Sequence, residues 1–134
     1  MQRPPETDVT PSPSIPNRPK ESLGRKQRLT RSSLFEETYA QGYKWAGRYM
    51  IFWRREGDNA GLRLGVVASR RVGDAVRRAR AKRRLREAFR RHRYLFSGPY
   101  DVVLVARQSL LSAPWPEVVE DLLTLARKAG LAKL

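Results

Sequence analysis

The sequence predicts an α/β fold, an α+β sandwich with element order α-β-β-α-β-α, and three observations carry that expectation. A long Arg-rich segment in the middle is built of helix formers and keeps one apolar stripe. Three short runs of β-branched and aromatic residues surround it, two before and one after. An amphipathic segment that opens on two prolines closes the chain.

The elements follow in order. Residues 1–20 hold six of the nine prolines and almost no large apolar side chains, the composition of an extended, disordered tail. One folded domain is expected over 21–134, since 134 residues fit a single modest core. Lys20, Arg25, Lys26, Arg28 and Arg31 form a basic approach to it. Ser33 and Glu36 have capping-box spacing, so a helix should begin at Ser33, with Phe35 and Tyr39 on one face and Gly42 as its stop. The run 48–54 reads as a strand. After the turn cluster 57–61, alternation over 62–68 gives a second strand, and the two are expected to form a hairpin. An extra short strand could lie in a connecting loop.

Asp74 is a good N-cap for the basic helix, expected over 75–93. On its wheel Ala81, Leu85, Ala88, Phe89 and His92 form a stripe able to face a core. Arg78, Lys82 and Arg86 run beside that stripe at i,i+4, while Arg80, Arg84 and Arg91 lie roughly opposite, toward solvent or a second polyanion. Tyr100–Ala106 is nearly continuous in apolar residues and reads as a buried strand. A last helix should start within 112–116, with Trp115, Val118, Val119, Leu122, Leu123 and Ala126 as its apolar face. Its acids come early and its bases late, and Gly130 ends it.

Composition narrows the function. The chain carries 28 Lys or Arg against 13 Asp or Glu, a formal +15. The window 70–93 holds twelve of those cations against Asp74 and Glu87 alone. A folded helix so charged calls for a polyanion, because like charges at i,i+4 otherwise repel. The absence of cysteine removes disulfides, thiolate metal sites and cysteine nucleophiles. A single histidine, His92, excludes a multi-histidine metal site, and the scattered acids suggest no catalytic apparatus. No apolar run is long enough to span a bilayer and no signal sequence opens the chain, so a cytoplasmic protein without membrane association is expected.

Cations interleaved with aromatics are how single-stranded nucleic acid is held: bases stack while phosphates pair. Phe35, Tyr39 and Phe52 are the candidate stacking residues, with burial in the core as the alternative destination for each. A ribosomal protein or RNA chaperone would share the basic helix. A DNA reader would present Asn or Gln to bases, and this helix has neither.

From about Arg28 to Leu125, and most sharply from Gly65 to Arg91, the chain resembles the bacterial ribonuclease P protein subunit family. The residues that carry the resemblance are Ser69-Arg70-Arg71-Val72-Gly73, then Ala75-Val76, then Arg78-Ala79-Arg80-Ala81-Lys82-Arg83-Arg84-Leu85-Arg86-Glu87-Ala88-Phe89-Arg90. Upstream, Arg28-Leu29-Thr30-Arg31-Ser32 followed by Phe35 is similar to the family's approach to its first helix. One departure stands out: Ala79 replaces the family's usual asparagine, so any hydrogen bond made by that amide is missing. Arg in place of Lys after Ser69 and the long proline-rich start are smaller departures.

The resemblance implies a ribosomal-protein-like α/β sandwich with a left-handed βαβ crossover. It implies the catalytic ribonuclease P RNA and precursor tRNA as partners, with no protein partner required. Arg70, Arg71, Arg78, Arg80, Lys82, Arg83, Arg86 and Arg90 would contact the RNA subunit. Phe35, Tyr39 and Phe52 would line a cleft for the 5′ leader. Catalysis would come from the RNA and its Mg²⁺ ions, with no catalytic residue and no metal site on the protein.

Overall fold

The computed structural model describes Arg28, Leu29 and residues 32–133. The proline-rich tail and the cations Lys20, Arg25, Lys26 and Arg31 lie outside the described residues. In order the elements are α1 (Ser32–Gln41), β1 (Lys44–Ala46), β2 (Met50–Glu56), β3 (Leu64–Val67), α2 (Ala75–His92), β4 (Tyr100–Ala106) and α3 (Trp115–Lys128). Short 3-10 turns at Arg93–Leu95 and Gln108–Ser112 flank β4.

The strands form one sheet in the order β1-β2-β4-β3. The expected hairpin between 48–54 and 62–68 is not formed. Instead β4 lies between β2 and β3, antiparallel to the first and parallel to the second. The reason is the run of Val102 to Ala106, which buries apolar side chains on both faces and so takes a central position. A parallel β3–β4 pair needs a long crossover, and α2 lies in that crossover. The extra short strand is β1, which pairs antiparallel with β2 at the opposite sheet edge.

Strand pleating sorts the core into two faces. Met50, Phe52, Leu64, Val66, Val102 and Leu104 point to the side packed by Ala81, Leu85, Ala88 and Phe89 of α2 and by Val118, Leu122, Leu125 and Ala126 of α3. The alternate residues Val67 and Val103 point the other way and meet Phe35 of α1 together with Leu29. Leu29 is held there by its N–H, which donates to the Leu64 carbonyl at 2.9 Å. Gly65 is what lets α1 come so close: a Cβ at that position would lie 2.5 Å from the Phe35 ring.

The helix ends explain themselves locally. The α2 N-terminus is capped by Asp74, whose Oδ1 accepts from the Arg77 N–H at 3.0 Å. Helix α1 begins at Ser32, one residue earlier than the capping-box spacing suggests, and stops at Gly42, whose φ of 76° is left-handed. Residues 108–112 are wound as a 3-10 turn, so α3 starts only at Trp115, after the extended Pro114. At its far end Leu131 N–H reaches the Ala126 carbonyl and Gly130 N–H the Arg127 carbonyl. That is a Schellman closure, with Leu131 buried beneath it.

Charge also works inside the fold. Asp101 is buried, and its two carboxylate oxygens accept five donors: the N–H groups of Gly61 and Arg63, Nε and Nη2 of Arg63, and Nη1 of Arg55. Arg55 in turn donates to Glu37 of α1 at 3.1 Å. The Gln41 side-chain amide pairs with both the N–H and the carbonyl of Glu56. These contacts fix the C-terminal half of α1 over one end of β2.

Candidate nucleic-acid interface

Helix α2 is rooted by its buried stripe, so its remaining faces present cations. His92 closes the stripe only partly buried, with Nδ1 against the Ala88 carbonyl at 2.8 Å. Arg70 and Arg71 sit exposed in the turn before the helix, where Val72 N–H donates to the Ser69 carbonyl at 3.0 Å. Arg78 is partly buried and donates from Nη1 to the Gly73 carbonyl at 3.3 Å. Lys82 and Arg86 are half-buried beside the stripe. Arg80 and Arg83 are exposed, and neither has a hydrogen bond or ion pair among the described residues. Ala79 is exposed, and its methyl group offers no hydrogen-bonding atom there.

Two cations expected on the outer face are engaged instead. Arg84 turns to the 108–112 region, where Nη1 donates to the Leu110 carbonyl at 2.7 Å and Nη2 to the Ala113 carbonyl at 2.9 Å. Its guanidinium lies over the Trp115 ring. It adds side-chain donors to a turn in which the Leu110 carbonyl also accepts from the Ala113 N–H at 3.3 Å. Arg91 donates from Nε to Glu87 at 2.7 Å, and Arg90 also pairs with Glu87. Burial alone would raise the Glu87 carboxyl, but the hydrogen bonds and charges of Arg90 and Arg91 outweigh it and hold the group below its ordinary value.

The second surface is the part of the sheet that α1 leaves open. Phe35 is 3% exposed and supports the floor from within. Phe52 is 0% exposed and points into the α2/α3 core, on the opposite face of the sheet. The expectation that Phe52 lines the cleft is therefore corrected, and strand parity is the reason: its neighbour Trp53 faces the α1 side. Trp53 is half-buried, meets Tyr39 edge to face at 4.8 Å, and carries the Lys44 ammonium 5.1 Å from its ring centroid. Tyr39 is 36% exposed, and the burial of its remainder raises its phenol pKa. Ile51 and Val105, paired across β2 and β4, continue the floor as half-buried side chains.

Register joins the two surfaces. Val67, Val105 and Ile51 lie level across β3, β4 and β2. The chain leaves β3 just beyond Val67 and reaches Arg70 and Arg71 three residues later. Arg48 and Arg107 lie beyond the paired Met50 and Ala106 at the same end of the strands, where Arg48 lies 3.9 Å from Glu117 of α3 and Arg107 donates to the Gly47 carbonyl at 3.1 Å. The end of the sheet beyond Ile51, Val105 and Val67 therefore carries Arg48, Arg70, Arg71 and Arg107. Trp53 and Lys44 are the residues that sequence reasoning missed; the alternation of β2 makes Trp53 visible once the face under α1 is known.

Among the described residues no three His, Asp or Glu side chains converge, so the chain offers no multi-ligand metal site there. No helix among them is long and apolar enough to cross a membrane.

The pattern that defines the ribonuclease P family matches residues 23–130. The chain belongs to the ribonuclease P protein family. Its curated relatives include the ribonuclease P protein component of Symbiobacterium thermophilum, 38% identical over 105 residues that cover 78% of this chain and 91% of that protein. The component of Oceanobacillus iheyensis is 30% identical over 112 residues, covering 83% and 93%. Among solved structures, the RNase P protein of Thermotoga maritima superposes with a TM-score of 0.67 at 28% identity, covering 75% of this chain and 96% of that one. The Staphylococcus aureus RNase P protein shares the fold, with a TM-score of 0.68 at 24% identity, covering 78% and 96%. The ribonuclease P match takes in α1, the whole sheet, α2 and α3, so both surfaces described above fall inside it.

Proposed function

We propose that this chain is the cytoplasmic protein subunit of a ribonuclease P holoenzyme. It binds the catalytic RNA and the 5′ leader of precursor tRNA, and so assists the Mg²⁺-dependent endonucleolytic cut that leaves the mature tRNA 5′ end. The observation that carries this reading is the pairing of two surfaces in one fold: exposed cations before and along α2, and the Tyr39–Trp53 aromatic pair with Lys44 on the sheet face that α1 partly covers.

The roles divide by chemistry. Arg70, Arg71, Arg80 and Arg83 offer exposed guanidiniums to the phosphates of the RNA subunit, where planar bidentate contacts suit arginine. Arg78, Lys82 and Arg86 add charge nearer the packed stripe. Tyr39 and Trp53 offer π-faces to leader bases, and Lys44 offers an ammonium to the leader backbone. Phe35 supports that floor from beneath. In this reading Mg²⁺ is held by RNA and supplies the hydrolytic chemistry there. The protein screens repulsion between two RNAs, captures the leader and lowers the Mg²⁺ requirement.

The test is multiple-turnover cleavage of a precursor tRNA by a bacterial ribonuclease P RNA at low Mg²⁺, with and without this chain and with no other protein. Strong stimulation that yields the mature 5′ end supports the reading. Tight RNA binding without stimulation would assign the chain to RNA chaperoning instead. Affinity should also fall about a thousandfold or more between low and moderate salt, as for proteins that neutralise roughly six to ten phosphates.

A further inference from the structure

We propose that the RNA-facing surface of α2 ends at Glu87: the exposed guanidiniums before it take phosphates, and its carboxylate engages Arg90 and Arg91 beyond it. This rests on the reading of α2 as the RNA-binding helix and gives that footprint a boundary.

The exposed cations of the helix divide by how they are engaged, whereas Arg78 and Arg84 already donate to protein carbonyls. From Ala75 to Arg86 it carries seven cations and no acid. Arg77, Arg80 and Arg83 of that stretch are exposed and make no hydrogen bond or ion pair from their side chains among the described residues. Positions 76, 80, 83 and 87 follow one line along the helix surface, so Glu87 stands where the row of available guanidiniums stops. Beyond it, Arg90 and Arg91 both donate to Glu87. Arg93 donates to the carbonyls of Leu62 at 3.2 Å and Gly61 at 3.3 Å. Each cation of the last turns is thus bonded to a protein oxygen.

Two fields act together on an approaching phosphate. At the N-terminal end it meets available guanidiniums and the positive end of the helix dipole. At the C-terminal end it meets the Glu87 carboxylate, held ionised by its two arginines, and the negative end of the dipole. Arg90 and Arg91 would have to abandon that carboxylate to reach RNA.

The experiment measures the affinity of the full chain for a bacterial ribonuclease P RNA across a salt series, with melting temperatures as the check on folding. Each phosphate contact contributes about 0.9 to the slope of log affinity against log salt. Arg83→Ala should lower the slope by about one. Arg91→Ala should leave it unchanged, and because Arg91 is exposed this arm stands whether or not other variants fold. Glu87→Gln, which removes the charge that engages Arg91, should raise the slope by about one and tighten binding. The boundary is overturned if Arg91→Ala costs as much slope as Arg83→Ala, or if Glu87→Gln changes nothing. If Arg80→Ala and Arg83→Ala also leave affinity and slope untouched, the RNA-binding reading of α2 falls, and the boundary with it.

Discussion

Tyr39 and Trp53 meet edge to face, with ring centroids 4.8 Å apart and planes at 72°. The contact ties the exposed side of α1 to the open face of the sheet, and it leaves part of both rings toward solvent. Lys44 approaches the same indole from β1. An aromatic pair with a cation beside it, held on rigid elements, suits stacking on a base whose phosphate is close. Phe52, one residue away in sequence, is sealed on the other side of the sheet.

Adjacent aromatics on one strand should therefore separate function from stability. Trp53→Ala should weaken the preference for substrates that carry a leader by about 1–3 kcal/mol, the usual worth of one base–aromatic stack. Its melting temperature should fall less than that of Phe52→Ala, since Trp53 is only partly buried. Phe52→Ala should instead destabilise the fold by about 3–5 kcal/mol. Paired affinity measurements on precursor and mature tRNA, with urea unfolding of each variant, check both. Equal loss of leader preference in the two variants would contradict the assignment of faces.

How much of this was legible in the sequence depends on the range of the interaction. Asp74, the 75–92 helix and its buried stripe are local signals, and the fold carries them out with one residue of difference at the C-terminus. The alternation of 48–54 and 62–68 also gave real strands. Which strands pair is a long-range matter: Tyr100–Ala106 displaces the hairpin because it is apolar on both faces. The choice between Phe52 and Trp53 hangs on which face α1 covers, and that is set by Phe35 meeting Gly65. The five donors on Asp101 come from residues 38 to 46 positions upstream, so no local pattern announces them.

Gly65 is the position that fixes the depth of the α1 contact. A methyl group there would lie 2.5 Å from Phe35 Cζ and 3.0 Å from Cε2. Gly65→Ala should therefore push the ring outward and cost about 1–3 kcal/mol of stability, as overpacked cores do. Because Tyr39 rides on the same helix, leader preference should fall too. A melting curve and a leader-binding measurement on this variant, with RNA-subunit affinity as the unaffected control, test the link.

The Glu87 pair gives stability a defined pH dependence. Its carboxyl is held below the ordinary value in the folded protein, so folding favours the ionised form. The contribution is fully present above the unfolded-state pKa and is lost as pH falls through the folded one. The stability difference between the wild-type chain and Glu87→Gln should therefore shrink as pH is lowered through the carboxylate range. Urea unfolding of both chains at several pH values reads it directly. A difference that grows on acidification would contradict the pairing.

Arg83 and Arg84 are neighbours in sequence with opposite tasks, and they offer the sharpest contrast on α2. Arg83 is exposed, and its side chain makes no hydrogen bond or ion pair among the described residues. Arg84 closes the carbonyls of Leu110, Leu111 and Ala113 and lies over Trp115. Arg84→Ala should cost about 2 kcal/mol of stability, because it removes the side-chain donors to the carbonyls of Leu110, Leu111 and Ala113 and the surface stacked on Trp115. Arg84→Lys should recover only part of it, since a compact ammonium lacks the planar fork that spreads donors over these carbonyls and lies over the Trp115 ring. RNA affinity, measured on the folded fraction, should barely change for either. Arg83→Ala should do the reverse: unaltered melting, weaker RNA binding and a shallower salt slope. Were Arg84→Ala to weaken RNA binding at unchanged stability, the outer face of α2 would extend further round the helix than its hydrogen bonds indicate.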